Sequence, residues 1–468
     1  MTSGQWISRR SRTPPLNPSS HGGRPISITA PLTPTPTAAT RFALFLLVNA
    51  MIFIRPAEFH PALLGLPIYE VCILLCLAVS YPAVLAEMMP GALAGRPINA
   101  CAAGMLGAIV LSHLSNGEPA YAYQHGVEFL KLLLYYFLLV AVLDTPERLE
   151  RFLASLAAFA LAITALAVAH YHGFVRVPAI EFLRTGMDDT GSEESMISRL
   201  GSTGLFQDPN DMCLMLVMAM IICIYQLVER RRWYWFAPLA FFSHALMLTH
   251  SRGGFLGMLV ALVVLLWARF GRRALPLGLL VLPAVFVLFA GRQTDISLSN
   301  GTGQSRVQLW LEGMILFTGR PLFGIGSERY ASYAGHVAHN SFIHCYTELG
   351  LFGGTLFLGA FYLAIWSLVR LGGKGVPAVS PILGRQRPYV LAVVAGYAGG
   401  LMSLSCPYTI PTYTVLGLAA VYVRLAEREL GVPVARLNAP LARRLAAVSL
   451  VFVVVAQVGV RLLARSGG

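Results

Sequence analysis

The chain is poor in charge. Only 12% of its 468 residues are Asp, Glu, Lys or Arg, whereas 56% are hydrophobic, and the mean hydropathy is +0.65. A single water-soluble core cannot hide that much apolar surface, which excludes an ordinary globular enzyme and makes a bilayer the natural solvent. Cysteine is scarce as well: seven residues, mostly inside apolar runs, without the density of a disulfide scaffold or the spacing of zinc ligands. They read as small packing residues, with Cys345 and Cys406 near the same face and able to pair. A net charge of +13 raises nucleic acid as a partner, but the sequence has no aromatic-interleaved basic stripe, and its Lys and Arg sit in short clusters between apolar runs. Nucleic acid is therefore excluded. Residues 1–40, rich in Ser, Thr, Pro and Arg, lack an apolar run able to serve as a signal-peptide core, and read as a disordered cytoplasmic arm.

What is present is a succession of apolar stretches from Arg41 to about residue 465, many near the ~20 residues needed to cross ~30 Å of hydrocarbon. The expected fold is all-α: a polytopic transmembrane helix bundle of about twelve or thirteen spans, forming one domain over residues 41–465. Two of these spans are expected at 253–269 and 274–290. With the N-terminus inside, most of the 35 Lys and Arg residues fall on the cytoplasmic side of a bacterial inner membrane. One misfit accompanies that orientation, since the last span sends the basic C-terminus outward. The two long connections, residues 172–206 and 291–339, then both face the periplasm, and connections of such length usually have a function. Within the second, Val307, Trp310, Leu311, Met314, Ile315 and Phe317 recur at near-helical spacing. This is either an amphipathic helix on the outer membrane surface or a lid packed on the bundle with no role in chemistry.

Three polar islands interrupt the apolar runs. In RLGSTGLFQDPND, Arg199, Asp208, Asn210 and Asp211 precede a long apolar helix, and Asp208 before Pro209 suits a helix cap. In HSRGGFLG, Arg252 sits in a tight turn at a membrane edge, either snorkelling to lipid phosphates or serving a site. Gly253 and Gly254 beside it permit close approach of a bulky partner to the backbone. In HNSFIHCYTELGLFGG, Asn340, His344 and Glu348 recur every four residues and form a polar stripe on one helix face, with His339 just ahead of it. Such a stripe is either plain interhelical glue or part of a site. The spacings among His336, His339 and His344 do not give a helical zinc pair, so no metal is expected there. Asp188, Asp189, Glu193 and Glu194 in the first long loop read as a solvated segment, with a divalent-ion site as the other reading.

Taken together, the fragments RLGSTGLFQDPND, THSRGG, SRVQLW through PLFGIGSERY, and HNSFIHCYTELGLFGG resemble the O-antigen ligase family in order and spacing across residues 195–370. The resemblance implies transfer of a glycan from undecaprenyl pyrophosphate to an acceptor hydroxyl at the periplasmic face, without metal or other cofactor. It implies His339 as the catalytic base and Arg199 and Arg252, with Arg306 as a third candidate, as the pyrophosphate clamp. Asp208, Asn210, Asn340, His344 and Glu348 would support them. The acceptor would be lipid A core, a growing polysaccharide or a protein. A transporter for lipid-linked saccharide would also want arginines near phosphate, but it should show an internal repeat and polar groups at the bilayer midplane. Neither is evident.

Overall fold

The computed structural model describes residues 36–55, 66–180, 182–186, 196–289, 302–373 and 375–466. Its helices are α1 (Pro36–Ile54), α2 (Ile68–Met88), α3 (Pro90–Gly95), α4 (Pro97–Leu114), α5 (Pro119–Val142) and α6 (Pro146–Tyr171). A short antiparallel pair, β1 (Leu183–Gly186) and β2 (Met196–Arg199), follows, with Leu183 opposite Arg199. Then come α7 (Pro209–Val228), α8 (Phe236–Leu248), α9 (Arg252–Phe270), α10 (Ala274–Leu288), α11 (Thr302–Gly319), α12 (Tyr330–Ala334), α13 (Ser341–Arg370), α14 (Pro381–Leu401), α15 (Ile410–Leu430) and α16 (Ala439–Ser466).

The molecule is an all-α polytopic membrane protein, as its hydropathy requires. Among the described residues, nine helical stretches are long and apolar enough to cross a membrane. The difference from the larger expected number has a physical source in each case. α9 and α10 enter that number as one apolar stretch, Arg252–Leu288, although they are two helices folded into a hairpin around Gly271 (φ 55°), at the places of the expected spans 253–269 and 274–290. α8 has only 13 residues, and α14 and α15 carry charged ends. α1 begins at Pro36, inside the expected arm, while residues 1–35 lie outside the described ones, as do Asp188, Asp189, Glu193 and Glu194.

Lipid tails are as apolar as leucine, so helices in this solvent associate through close packing and buried polar bonds. α9 and α14 meet through small residues: a Cβ at Gly257 would lie 3.0 Å from the Gly396 carbonyl and 3.5 Å from Gly400. Buried hydroxyls supply the second device. Tyr135 donates to Asn49 (2.8 Å) and Tyr136 to Asn99 (2.8 Å), joining α5 to α1 and to α4.

The helix ends sort into two poles. One gathers the starts of α7, α9, α13 and α15 with the ends of α4, α8 and α14; the other holds Glu87 of α2 paired with Arg424 of α15 (2.7 Å) and Glu150 of α6 paired with Arg230 (2.7 Å). α16 ends at the first pole, where Val460 packs with Met314 and Phe317 of α11. The misfit of its basic C-terminus thus persists.

α13 is broken at Gly350 (φ 64°), which lies outside the helical region. The break strands four backbone groups, and a turn-rich segment after α11 meets all of them. Leu351 N–H donates to the Pro321 carbonyl (2.7 Å) and Phe352 N–H to that of Leu322 (3.2 Å), while Ile325 and Gly326 N–H donate to the carbonyls of Thr347 (3.2 Å) and Glu348 (3.0 Å). Irregular backbone inside a membrane bundle is tolerated only when satisfied in this way. Glycine is required on both sides, because a Cβ at Gly324 would strike the Glu348 carbonyl and one at Gly350 that of Leu322.

Candidate active site

α7 opens as expected: Asp208 caps it, its carboxylate accepting from Asn210 N–H at 2.7 Å and from the Asn210 side-chain amide at 2.8 Å. Asn210 turns its carbonyl oxygen toward Arg199, whose Nη2 donates at 2.9 Å, and toward the Ser251 hydroxyl at 2.8 Å. Arg199 is buried and donates through Nε to the Thr249 carbonyl (2.9 Å). The first two islands are therefore one structure, with β2, the start of α7 and the α8–α9 turn tied together through Arg199, Asn210 and Ser251. Ser251 caps α9 by accepting from Gly254 N–H (3.2 Å), and Arg252 is the first residue of that helix, partly exposed.

The glycines of this turn serve a different purpose from the one expected. A Cβ at Gly254 would collide with Cys213 of α7, and one at Gly253 with the Ser403 hydroxyl. The partners they admit are the protein's own side chains. Gly254→Ala is expected to lower the thermal midpoint by an overpacking cost of about 1–3 kcal/mol. Gly91→Ala, with nothing within 4 Å, should be near neutral in the same melting measurement.

The third island starts at His339, one of five described non-glycine residues at positive φ (48°). His250 (φ 48°) and Glu328 (φ 59°) lie at the same pole, and strain of this kind, about 1–3 kcal/mol each, persists only where the surroundings impose it. The Trp310 indole of α11 donates to the Ala338 carbonyl at 2.7 Å and clamps the residue before His339. Burial, then the Arg306 guanidinium, push the His339 imidazole down to about 4, with Asp208 pulling the other way. Arg306 of α11 and Asp208 at the start of α7 thus both act on His339, just before α13. α11 itself packs on the bundle through Val307, Met314 and Phe317.

Asn340 caps α13, accepting from Phe342 and Ile343 N–H at 3.1 Å. His344 Nε2 is 3.0 Å from Glu348, and its Nδ1 is 3.1 Å from the Ser405 hydroxyl. Glu348 is fully buried and accepts from Glu328 N–H (2.9 Å), Tyr330 N–H (2.8 Å) and the Tyr408 hydroxyl (2.9 Å). The stripe is glue as regards Glu348, which holds the α12 approach against α13.

Sequence reading missed the α14–α15 loop, residues 402–409, which touches every island. Besides Ser405 on His344 and Tyr408 on Glu348, Cys406 Sγ donates to Asp211 (2.7 Å) and Ser341 donates to the Leu404 carbonyl (2.6 Å). Its signal was the polar run SLSCPYT between two apolar stretches. Arg55 was missed too: its side chain lies against Gly204 (φ 59°), in the loop before α7. Cys345 and Cys406 are buried and free, like the other five cysteines. Among the described residues, the one group able to hold a metal ion is His125, Glu128 and Glu328, whose ligand atoms lie within 4.8 Å of one another; both glutamates are exposed. The proposed zinc-free state of His336, His339 and His344 concerns other residues.

Residues 237–358 match the O-antigen ligase family. That stretch contains the Arg252 turn, Arg306, His339, Asn340, His344 and Glu348 but stops short of Arg199, Asp208 and Asn210, and it bears out the resemblance drawn from the motifs. No curated protein matches the chain. The apolar helices make this a membrane protein, and the match over residues 237–358 supports a glycan-transfer role of the O-antigen ligase or polymerase type in general.

Proposed function

We propose that this protein transfers a glycan from undecaprenyl pyrophosphate to an acceptor hydroxyl at the periplasmic face of the inner membrane, with His339 as base and Arg199, Arg252 and Arg306 facing the pyrophosphate, and with no metal. The observation that carries this reading is the convergence at one pole of a strained, half-buried histidine with Arg306 and Asp208. Pyrophosphate is a good leaving group, so its departure needs charge stabilisation more than a proton donor, and guanidinium forks match phosphate oxygens. The acceptor oxygen bonds to the anomeric carbon, the bond to the pyrophosphate oxygen breaks with its electron pair, and the hydroxyl proton passes to His339. Attack in line with the leaving group inverts the anomeric configuration.

Before the donor binds, burial and Arg306 hold the imidazole neutral but weakly basic. A pyrophosphate set against Arg306 offsets that cation and raises the basicity of His339 when it is needed. Arg199 has a further task, since its bonds to Thr249 and Asn210 keep the β2, α7 and α9 islands in register. Ligation to lipid A core, polymerisation of repeat units and transfer to a protein share this donor and displacement. A transporter would place its polar groups at mid-bilayer, and the single-pole clustering favours transfer.

The test is reconstitution with undecaprenyl-pyrophosphate glycan and candidate acceptors. Arg252→Ala is expected to lower kcat/KM by about 10²-fold, the loss of a charge-assisted contact to phosphate, and EDTA should leave the wild-type rate unchanged. Strict dependence on added magnesium or manganese, or retention of anomeric configuration, would overturn the mechanism.

A further inference from the structure

We propose that the pole opposite the candidate active site binds the phosphate headgroup of an anionic phospholipid. The site is a recess of about 640 Å³ lined by Glu229 together with Arg230, Arg231, Arg232, Arg269 and Arg385, from the end of α7, the end of α9 and the start of α14.

Charge accounting shows why the recess wants an anion. Glu229 is taken by Arg269 and by the Tyr389 hydroxyl (3.0 Å), and Glu150 by Arg230 (2.7 Å). Arg232 reaches only the neutral Gln226 amide oxygen (3.1 Å). Among the described residues, Arg231 and Arg385 have no hydrogen-bond or ion-pair partner, and both are exposed. Arg231 is also held at positive φ (53°), the fifth of the strained non-glycine residues and the one that lies away from the active-site pole. A recess that gathers five guanidiniums against two carboxylates, Glu229 and Glu150, keeps an excess of positive charge for an anion from outside.

Two observations identify that anion as a lipid. α7 and α9 have 20 and 19 residues, so at 1.5 Å per residue each runs about 30 Å, the thickness of the hydrocarbon core. Since both start at the active-site pole, their ends, and the recess, lie at the other membrane interface. Directly after Arg232 in the chain, Trp233 and Tyr234 are 81% and 67% exposed. Aromatic rings at that depth sit among lipid headgroups, where a soluble phosphate would gain nothing from them. A bound headgroup would join the far ends of the two helices whose near ends carry Asp208, Asn210, Ser251 and Arg252.

The experiment is native mass spectrometry of the full-length protein titrated with phosphatidylglycerol or phosphatidylcholine. Wild type should retain phosphatidylglycerol in preference to phosphatidylcholine, and Arg231→Gln/Arg385→Gln should bind it roughly thirty-fold more weakly. Arg272→Gln/Arg273→Gln removes the same charge from exposed positions outside the recess and should change binding less than about twofold. Equal losses in the two double variants would reduce the effect to general leaflet charge and overturn the site. Displacement of the lipid by millimolar inorganic phosphate would overturn the lipid as occupant. A matching thermal midpoint for both variants checks that each is folded.

Discussion

His339→Ala is expected to cut glycan transfer by about 10² to 10⁴, the usual contribution of a positioned general base, while leaving the protein inserted and its melting profile near wild type. The pH profile separates this role from a structural one. The base works as neutral imidazole, and its depressed value of about 4 in the free protein keeps it neutral through the physiological range. kcat/KM, which reports the free enzyme, should therefore stay level from about pH 7 to pH 5 and fall only near pH 4. Arg306→Gln removes a neighbouring cation that lowers the imidazole value, so the acid limb should move to higher pH; burial, the larger cause, remains and keeps it below the ordinary histidine value. A wild-type rate in folded His339→Ala protein, or an acid limb that Arg306→Gln leaves in place, would remove His339 from the reaction.

Glu348→Ala should be the most damaging substitution for stability. The carboxylate is fully buried, and its removal strips partners from His344, the Tyr408 hydroxyl and the backbone N–H groups of Glu328 and Tyr330. Breaking a buried, hydrogen-bonded pair costs about 3–5 kcal/mol, and each orphaned polar group adds to the loss. Thermal unfolding in detergent would read it as a large fall in midpoint. Glu348→Gln keeps one acceptor oxygen and should fall less. An unchanged midpoint for Glu348→Ala would mean that the segment before α12 is held by something other than this residue.

Much of the molecule was legible in its sequence because the signals were local. Apolar length places the spans, Asp208 before Pro209 announces a cap, and the spacing around Trp310 gives α11. Residues whose meaning depends on distant partners were harder. Gly253 and Gly254 read as permitting close approach of a bulky partner to the backbone, yet they make room for Ser403 and Cys213, which no periodicity could assign. Gly350 sits in ELGLFGG, where the apolar pattern continues without interruption, so the break in α13 has no local sign. The 402–409 loop was passed over because its chemistry is held in hydroxyls and one thiol, residue types that are usually mere packing.

That break bears on how the protein can be assembled and altered. α13 is not an autonomous span, because its two halves are spliced by a strip of chain from outside it. A transmembrane segment lacking residues 321–326 would have to leave four backbone groups bare in hydrocarbon, at several kcal/mol each, or heal into a continuous helix. Healing would swing the upper turns about Gly350 and carry His339, Asn340 and His344 away from α7 and the 402–409 loop. The aim of the histidine is thus set by a six-residue splice rather than by the helix that bears it, and grafts or chimaeras of this helix must carry the splice with them.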